Sequence, residues 1–192
     1  MNFKYKKIKQ MKNLLPLLFL IIVSCKSTKN MTADFVVNEA ILINTLNCPE
    51  NGDCTIELLP NTSLEFEKDE FGNLYPVISE GNKTIFKYIY TRNPIPNTQD
   101  SNYSEIVFAE LDSIISPRTL TDETLQDIKL HFGRLCFCKG ETGYYPIKKG
   151  KFKITKSTKN TFKIDFNFKI SEVPQIISAI NETVCVKSNE AK

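Results

Sequence analysis

From Thr161 to Ile170 apolar and polar side chains alternate without a break: Phe162, Ile164, Phe166, Phe168 and Ile170 on one side, Lys163, Asp165, Asn167 and Lys169 on the other. A period of two is that of a strand with one buried and one wet face. Lys151–Thr155 has the same period, and the polar run Lys156-Ser157-Thr158-Lys159-Asn160 between them is turn-like, so the pair predicts a β-hairpin. Lys83–Thr91 is rich in aromatic and β-branched residues, follows Gly81-Asn82 and predicts a strand. Ser104–Leu111 predicts another, beyond the Pro- and Asn-rich loop Asn93–Asn102. Phe35–Leu46 and Thr55–Leu59 flank a turn marked by Asn51-Gly52. Leu64–Glu67 and Leu74–Ile78 are shorter candidates, and Pro76 assigns the latter to an edge or an end. Arg134–Cys138 also reads as strand.

Helical signals are few. Thr121–Leu130 predicts one short helix, with Asp122 and Glu123 at its dipole-favoured start. Val173, Ile176, Ile177 and Ile180 fit a second, i, i+3, i+4, i+7 pattern after Ser171, although Pro174 limits where such a helix can begin. Many short strands separated by turn signals predict a mainly β chain: an antiparallel β-sandwich or barrel with one or two short helices.

The first 24 residues do not belong to that pattern. Five lysines (Lys4, Lys6, Lys7, Lys9, Lys12) and no acid precede a ten-residue run, Leu14 to Val23, that is apolar throughout. Spanning a bilayer takes roughly 20 residues, so the run predicts a targeting leader, beginning at Met1 or Met11, rather than a membrane span. The run closes on Ile22-Val23-Ser24-Cys25. This segment resembles the lipobox of bacterial lipoproteins: an aliphatic residue, a tolerant position, a small residue, then cysteine. The resemblance covers residues 1–25 alone. It implies cleavage before Cys25, a diacylglycerol on its thiol and acylation of the new amine. At about 0.8 kcal/mol per buried methylene, two or three chains make a lasting anchor. It further implies an exported protein on the outer membrane, since Lys26 stands where an acidic residue would resemble an inner-membrane retention signal. The absence of acids before Asp34 favours the periplasmic face. Residues 1–24 are thus expected to be the leader, 25–33 the lipidated cysteine and a polar tether, and 34–192 a single β-rich domain.

Composition changes the picture at one point. The formal charge of +3 comes from the leader; without it 20 basic residues face 22 acidic ones. The remaining chain has no general electrostatic pull toward nucleic acid. The full chain's 13 Phe and 7 Tyr, all but Phe3, Phe19 and Tyr5 outside the leader, are ample apolar mass for a core.

An exported chain can hold disulfides, and besides Cys25 five cysteines remain. Cys48 and Cys54 bracket the Asn-Gly turn and form the expected bridge. Cys136 and Cys138, on a strand, would be about 6.5–7 Å apart, so bridging one of them to Cys185 is the easier connection. The sharper alternative joins Cys136, Cys138 and Cys185 with His131 as a soft-metal site, although no second pair at ligand spacing accompanies them. Bridging or burial is the simpler account, and no metal or cofactor is expected beyond the covalent lipid.

No Gly-x-Ser-x-Gly elbow, His-Glu-x-x-His helix or phosphate loop is present, and His131 is the only histidine. Glu105, Glu110 and Asp112 lie on or beside a strand and read as solvated. Tyr144 and Tyr145, after two loop glycines, are a candidate ligand loop, or else one plugs the end of the sheet and the other covers it. Together these features predict a membrane-anchored envelope protein that binds or supports a partner. The alternative is a carrier of a small ligand (sugar, lipid or soft metal), with a hydrolase third.

Overall fold

The structure, a computed structural model, describes residues 35–45, 47–158 and 160–186; the leader, Cys25 and the tether lie outside the described residues. Among the described residues twelve strands form antiparallel sheets. The larger sheet has six strands in the order β2 (Ile41–Asn44), β3 (Gly52–Lys68), β4 (Leu74–Arg92), β5 (Tyr103–Asp112), β8 (His131–Cys136) and β9 (Gly143–Pro146). The smaller has four, in the order β12 (Ala179–Cys185), β11 (Thr161–Phe168), β10 (Gly150–Thr158) and β7 (Arg118–Thr121). A two-stranded pair, β1 (Phe35–Val36) and β6 (Ile114–Ile115), joins Phe35 to Ile115.

The predicted hairpin is β10–β11, in register from Gly150 opposite Phe168 to Ile154 opposite Ile164. Its alternating apolar face makes half of the core: Phe152, Ile154, Phe162, Ile164 and Phe166 are at most 1% exposed. Phe86, Tyr88, Val107 and Phe132 of the larger sheet meet them in one cluster. Phe132 and Phe168 touch across the gap with centroids 6.1 Å apart, and Phe166 stacks on Phe168 at 4.7 Å. Burying each such side chain stabilises by about 1.5–3 kcal/mol.

Four predicted strands merge into two long ones. Thr55–Leu59 and Leu64–Glu67 are parts of β3; Leu74–Ile78 and Lys83–Thr91 are parts of β4. The joints lie at a corner, where Thr62 opposes both Lys83 and Glu80, and Asn61 adopts a left-handed φ of 56°. Gly81 sits inside it, where a Cβ would come within 2.7 Å of the Ser63 Cβ and 2.8 Å of the Thr62 backbone, so the corner requires glycine. β5 pairs with β4 only as far as Lys83, opposite Asp112. Beyond that point the hairpin continues as a two-stranded arm, and Pro76, opposite Phe66, lies where β4 has no second neighbour. The arm folds over the outer face of the larger sheet, where Leu64 joins Ile85, Ile106 and Phe108 in a second, smaller cluster.

The predicted first helix is a 3₁₀ helix, Asp122–Ile128, capped by Thr121 and Thr124 and burying Leu125 and Ile128. The second predicted helix does not form. Residues 169–178 are a loop, and Ile180 belongs to β12. Pro174 removes an amide there, and the Ile176 and Ile177 amides donate to the carboxylate of Glu105 instead of to a helical ladder. No helix among the described residues is long and apolar enough to cross a membrane.

Register sorts the connections into two ends. Gly52 lies opposite Arg92 and Tyr103 opposite Cys136, so residues 48–51, 93–102 and 137–142 leave the same end of the larger sheet. The 169–178 loop joins them through Glu105. Phe35 enters at the other end, against Ile115 and Phe162.

Candidate functional site

The loop end is built on a buried polar chain. Tyr103, Glu105 and Arg134 all point into the sandwich, with Glu105 opposite Arg134 in the β5–β8 register. Glu105 is 1% exposed. Its Oε1 accepts from the Tyr103 hydroxyl and, at 2.6 Å, from the Ile176 amide; its Oε2 accepts from the Ile177 amide at 2.6 Å. Tyr103 also accepts from Arg134 Nε at 3.3 Å, and Arg134 is paired in turn with Glu141. Burial first, and the hydrogen bond to Glu105 second, push the Tyr103 hydroxyl up to about 12. Arg92 covers the Tyr103 ring with its guanidinium carbon 4.8 Å from the centroid, and Arg134 approaches the same ring at 5.4 Å.

The arrangement clamps rather than catalyses. Both oxygens of Glu105 accept from donors within the protein, three in all, and the residue is buried. Its chemistry is to fix the 169–178 loop to the sheet through charge-assisted bonds, each contributing about 1.5–3 kcal/mol.

The reading of the acids as solvated is therefore corrected for two of them. Glu110 lies on the outer face, accepting the Leu64 amide at 2.8 Å and facing Lys129 Nζ at 3.2 Å. Asp112 is half-exposed and held below its usual range by hydrogen bonds from Lys83 and Arg118. The missed signal was parity: Glu105 shares its face of β5 with Val107, Ala109 and Leu111, all in the core.

Both disulfides lie at the loop end. Cys48 and Cys54 are bridged as expected, with Cα atoms 5.5 Å apart and Cys54 buried in the core. Cys136 and Cys138 are bridged to each other, contrary to the expected link to Cys185. β8 ends at Cys136 and the chain bends at Phe137, which brings the Cα atoms to 5.2 Å instead of the spacing of an extended strand. Cys185 is exposed and unbridged near the opposite end, beside Asn38–Leu42.

The residues of the soft-metal alternative are not brought together. Two thiols are in a bridge, Cys185 is remote, and His131 stacks on Phe66 at 3.6 Å with its Nδ1 2.9 Å from the Lys129 carbonyl. Burial lowers the His131 pKa, and that carbonyl offsets part of the effect. Among the described residues no group of three or more His, Cys, Asp or Glu is placed to hold a metal.

Tyr144 and Tyr145 are not on an open loop. They lie in β9, on opposite faces of the sheet. Tyr144 packs outward against Phe66 and Phe108, over the space left by Gly133, and burial raises its hydroxyl. Tyr145 turns inward against the core. The reading in which one ring plugs the sheet and the other covers it matches this placement.

Apolar side chains remain open at the loop end: Phe137 is 82% exposed, Ile95 49% and Ile176 39%. A groove of about 290 Å³ lies between Asn38–Leu42 and Cys185–Val186. Small-molecule pockets run from about 300 to 1,000 Å³, which puts this groove at their lower limit. Next to it the edge strand β12 turns Glu182 inward, where burial raises its carboxyl above the usual range; Thr45 and Asn47 offset part of that effect. Asn47 Nδ2 donates to the Asn181 carbonyl at 3.1 Å and covers part of that edge.

Comparison with known proteins finds no matching family model, no matching curated protein and no matching solved structure.

Proposed function

We infer that the chain is a lipid-anchored bacterial envelope protein, held to the outer membrane through Cys25, that binds a protein partner with its loop end. The lipobox-like segment at residues 22–25 supports the anchor. The observation that carries the binding reading is the loop end itself. Exposed Ile95, Phe137 and Ile176 stand on connections tied down by a disulfide, by the Glu105 carboxylate and by the Ser101 hydroxyl, which takes the Ile95 amide at 3.2 Å. Apolar tips on preorganised loops lose little conformational entropy on association. Phe35, the first described residue, lies at the end of the sandwich opposite these tips.

Two measurements test this. An alkyne-tagged fatty acid should label the protein in cells, and Cys25→Ser should abolish the label; unlabelled wild type overturns the anchor. A photocrosslinker at position 137 should capture one partner that Ile95→Ser with Ile176→Ser removes, while the same group at Thr158 captures none. Equal capture from both ends overturns the binding surface.

A further inference from the structure

We propose that the Cys136–Cys138 bridge is a thiol–disulfide exchange site, one that accepts electrons from a dithiol, and that Cys48–Cys54 is a permanent structural bridge. This assignment stands whether or not the loop end docks a partner. The two bridges differ in two respects. Cys48–Cys54 has one sulfur carrier, Cys54, 3% exposed in the main core and the other, Cys48, half-buried, whereas Cys136 and Cys138 are both half-buried, on either side of the open tip of Phe137. Their sequence separations are 6 and 2, so the second restricts the unfolded chain less. Both bridges close connections between strands already joined by a ladder, β2–β3 from Ile41 opposite Leu58 to Asn44 opposite Thr55 and β8–β9 from His131 opposite Pro146 to Arg134 opposite Gly143. Breaking the second bridge therefore takes no strand out of the sheet. Partly exposed disulfides of this kind are the ones open to attack by an external thiolate.

The surroundings suit one direction of attack. Cys136 Sγ lies 3.7 Å from Thr142 Oγ1, which donates to the Cys136 carbonyl at 2.6 Å and can turn that proton to the sulfur once it is a thiolate; Arg134, paired with Glu141, is on the same face of the strand two residues earlier. Cys138 is at the outer turn, where its carbonyl accepts from the Glu141 amide. An incoming thiolate attacks Cys138 Sγ, a bond forms to that sulfur, and the Cys136–Cys138 bond breaks. The electron pair leaves on Cys136, beside the Thr142 hydroxyl and the positive Arg134, and the sulfur then takes a proton from water. The second thiolate of the partner attacks its own sulfur in the mixed disulfide and releases Cys138. In sum the dithiol becomes a disulfide and the bridge becomes two thiols. The co-reactant class is a dithiol, either a peptide or a protein segment with two nearby cysteines.

The test uses the full oxidised protein in a series of reduced-to-oxidised dithiothreitol buffers, followed by acid quenching, alkylation and peptide mass spectrometry. Cys136 and Cys138 should become alkylated at a ratio at least tenfold lower than Cys48 and Cys54. The synthetic dithiol peptide Cys-Gly-Gly-Cys should be oxidised in a one-to-one yield, and Thr142→Val should slow that reaction several-fold. Cys136→Ser with Cys138→Ser should abolish it with the near-ultraviolet circular dichroism retained. Reduction of both bridges at one ratio, an unoxidised peptide, or oxidation that persists in the double variant overturns the assignment.

Discussion

The two faces of the six-stranded sheet are covered by different means. The inner face meets a second sheet across a phenylalanine-rich core, which also takes in the buried polar groups of Glu105, Arg134 and Glu182. The outer face is covered by its own hairpin, folded back at Gly81 and held by a mixture of rings and charges. Phe66 packs on Phe108, Tyr144 and His131, and Lys129 Nζ reaches the Leu64 carbonyl and Glu65, each at 2.7 Å. Buried apolar area gives the inner face a cooperative core. The outer face has a small cluster whose partners are partly wet, and partly wet contacts contribute less each. The difference teaches that one sheet can carry a global folding unit on one side and a local one on the other.

Substitutions can separate the two faces, beginning with the largest effect. Phe166→Ala removes a fully buried ring and should cost about 3–5 kcal/mol in urea unfolding, with every spectroscopic probe moving together. A loss confined to one probe would mean that the core is not shared by the two sheets. Gly81→Val forces a side chain into the corner and should cost about 1–3 kcal/mol. Amide exchange should then rise at Leu64 while β11 stays protected; equal exchange in both would merge the two units. Phe66→Ala should cost less, about 1–2 kcal/mol, because that ring is half-buried and loses its stacking as well as its area.

Acid provides the mildest separation. Burial holds the folded pKa of His131 below 6.5, so the stability from its neutral ring is complete above that pH and is lost as pH falls through the lowered value. Between pH 7.5 and 5 protection factors, corrected for the slowing of intrinsic amide exchange in acid, should therefore fall in the arm before they fall in β11, and His131→Phe should flatten the change. An arm whose protection ignores pH would place its hold elsewhere, on Lys129 first.

Much of the inner face was legible in the sequence. The alternation of Phe162, Ile164, Phe166 and Phe168 dictates a half-buried strand, and no local competitor disturbs it. The folded arm was not, because its two halves of β3 and β4 read as separate strands and the corner that joins them depends on contacts between residues about 20 positions apart (Thr62 with Lys83). Periodicity also misled at 173–180: the apolar spacing is helical, yet Pro174 and a carboxylate 71 residues earlier in the chain redirected the amides. At the loop end Glu105 and Arg134 were visible by parity with their apolar neighbours, but their mutual contact depends on strand pairing. The Cys136–Cys138 bridge was misjudged because a strand was carried two residues past its end.

Glu182 shows how a fold can accept weakness in one place for the sake of another. Its carboxyl faces inward from an outermost strand, where burial disfavours its charge. Any neighbouring chain that tried to extend that ladder would enclose the ion still further from water, and the enclosure would count against the union. An inward-facing carboxyl on an outermost strand thus acts as a brake on edge-to-edge pairing at β12.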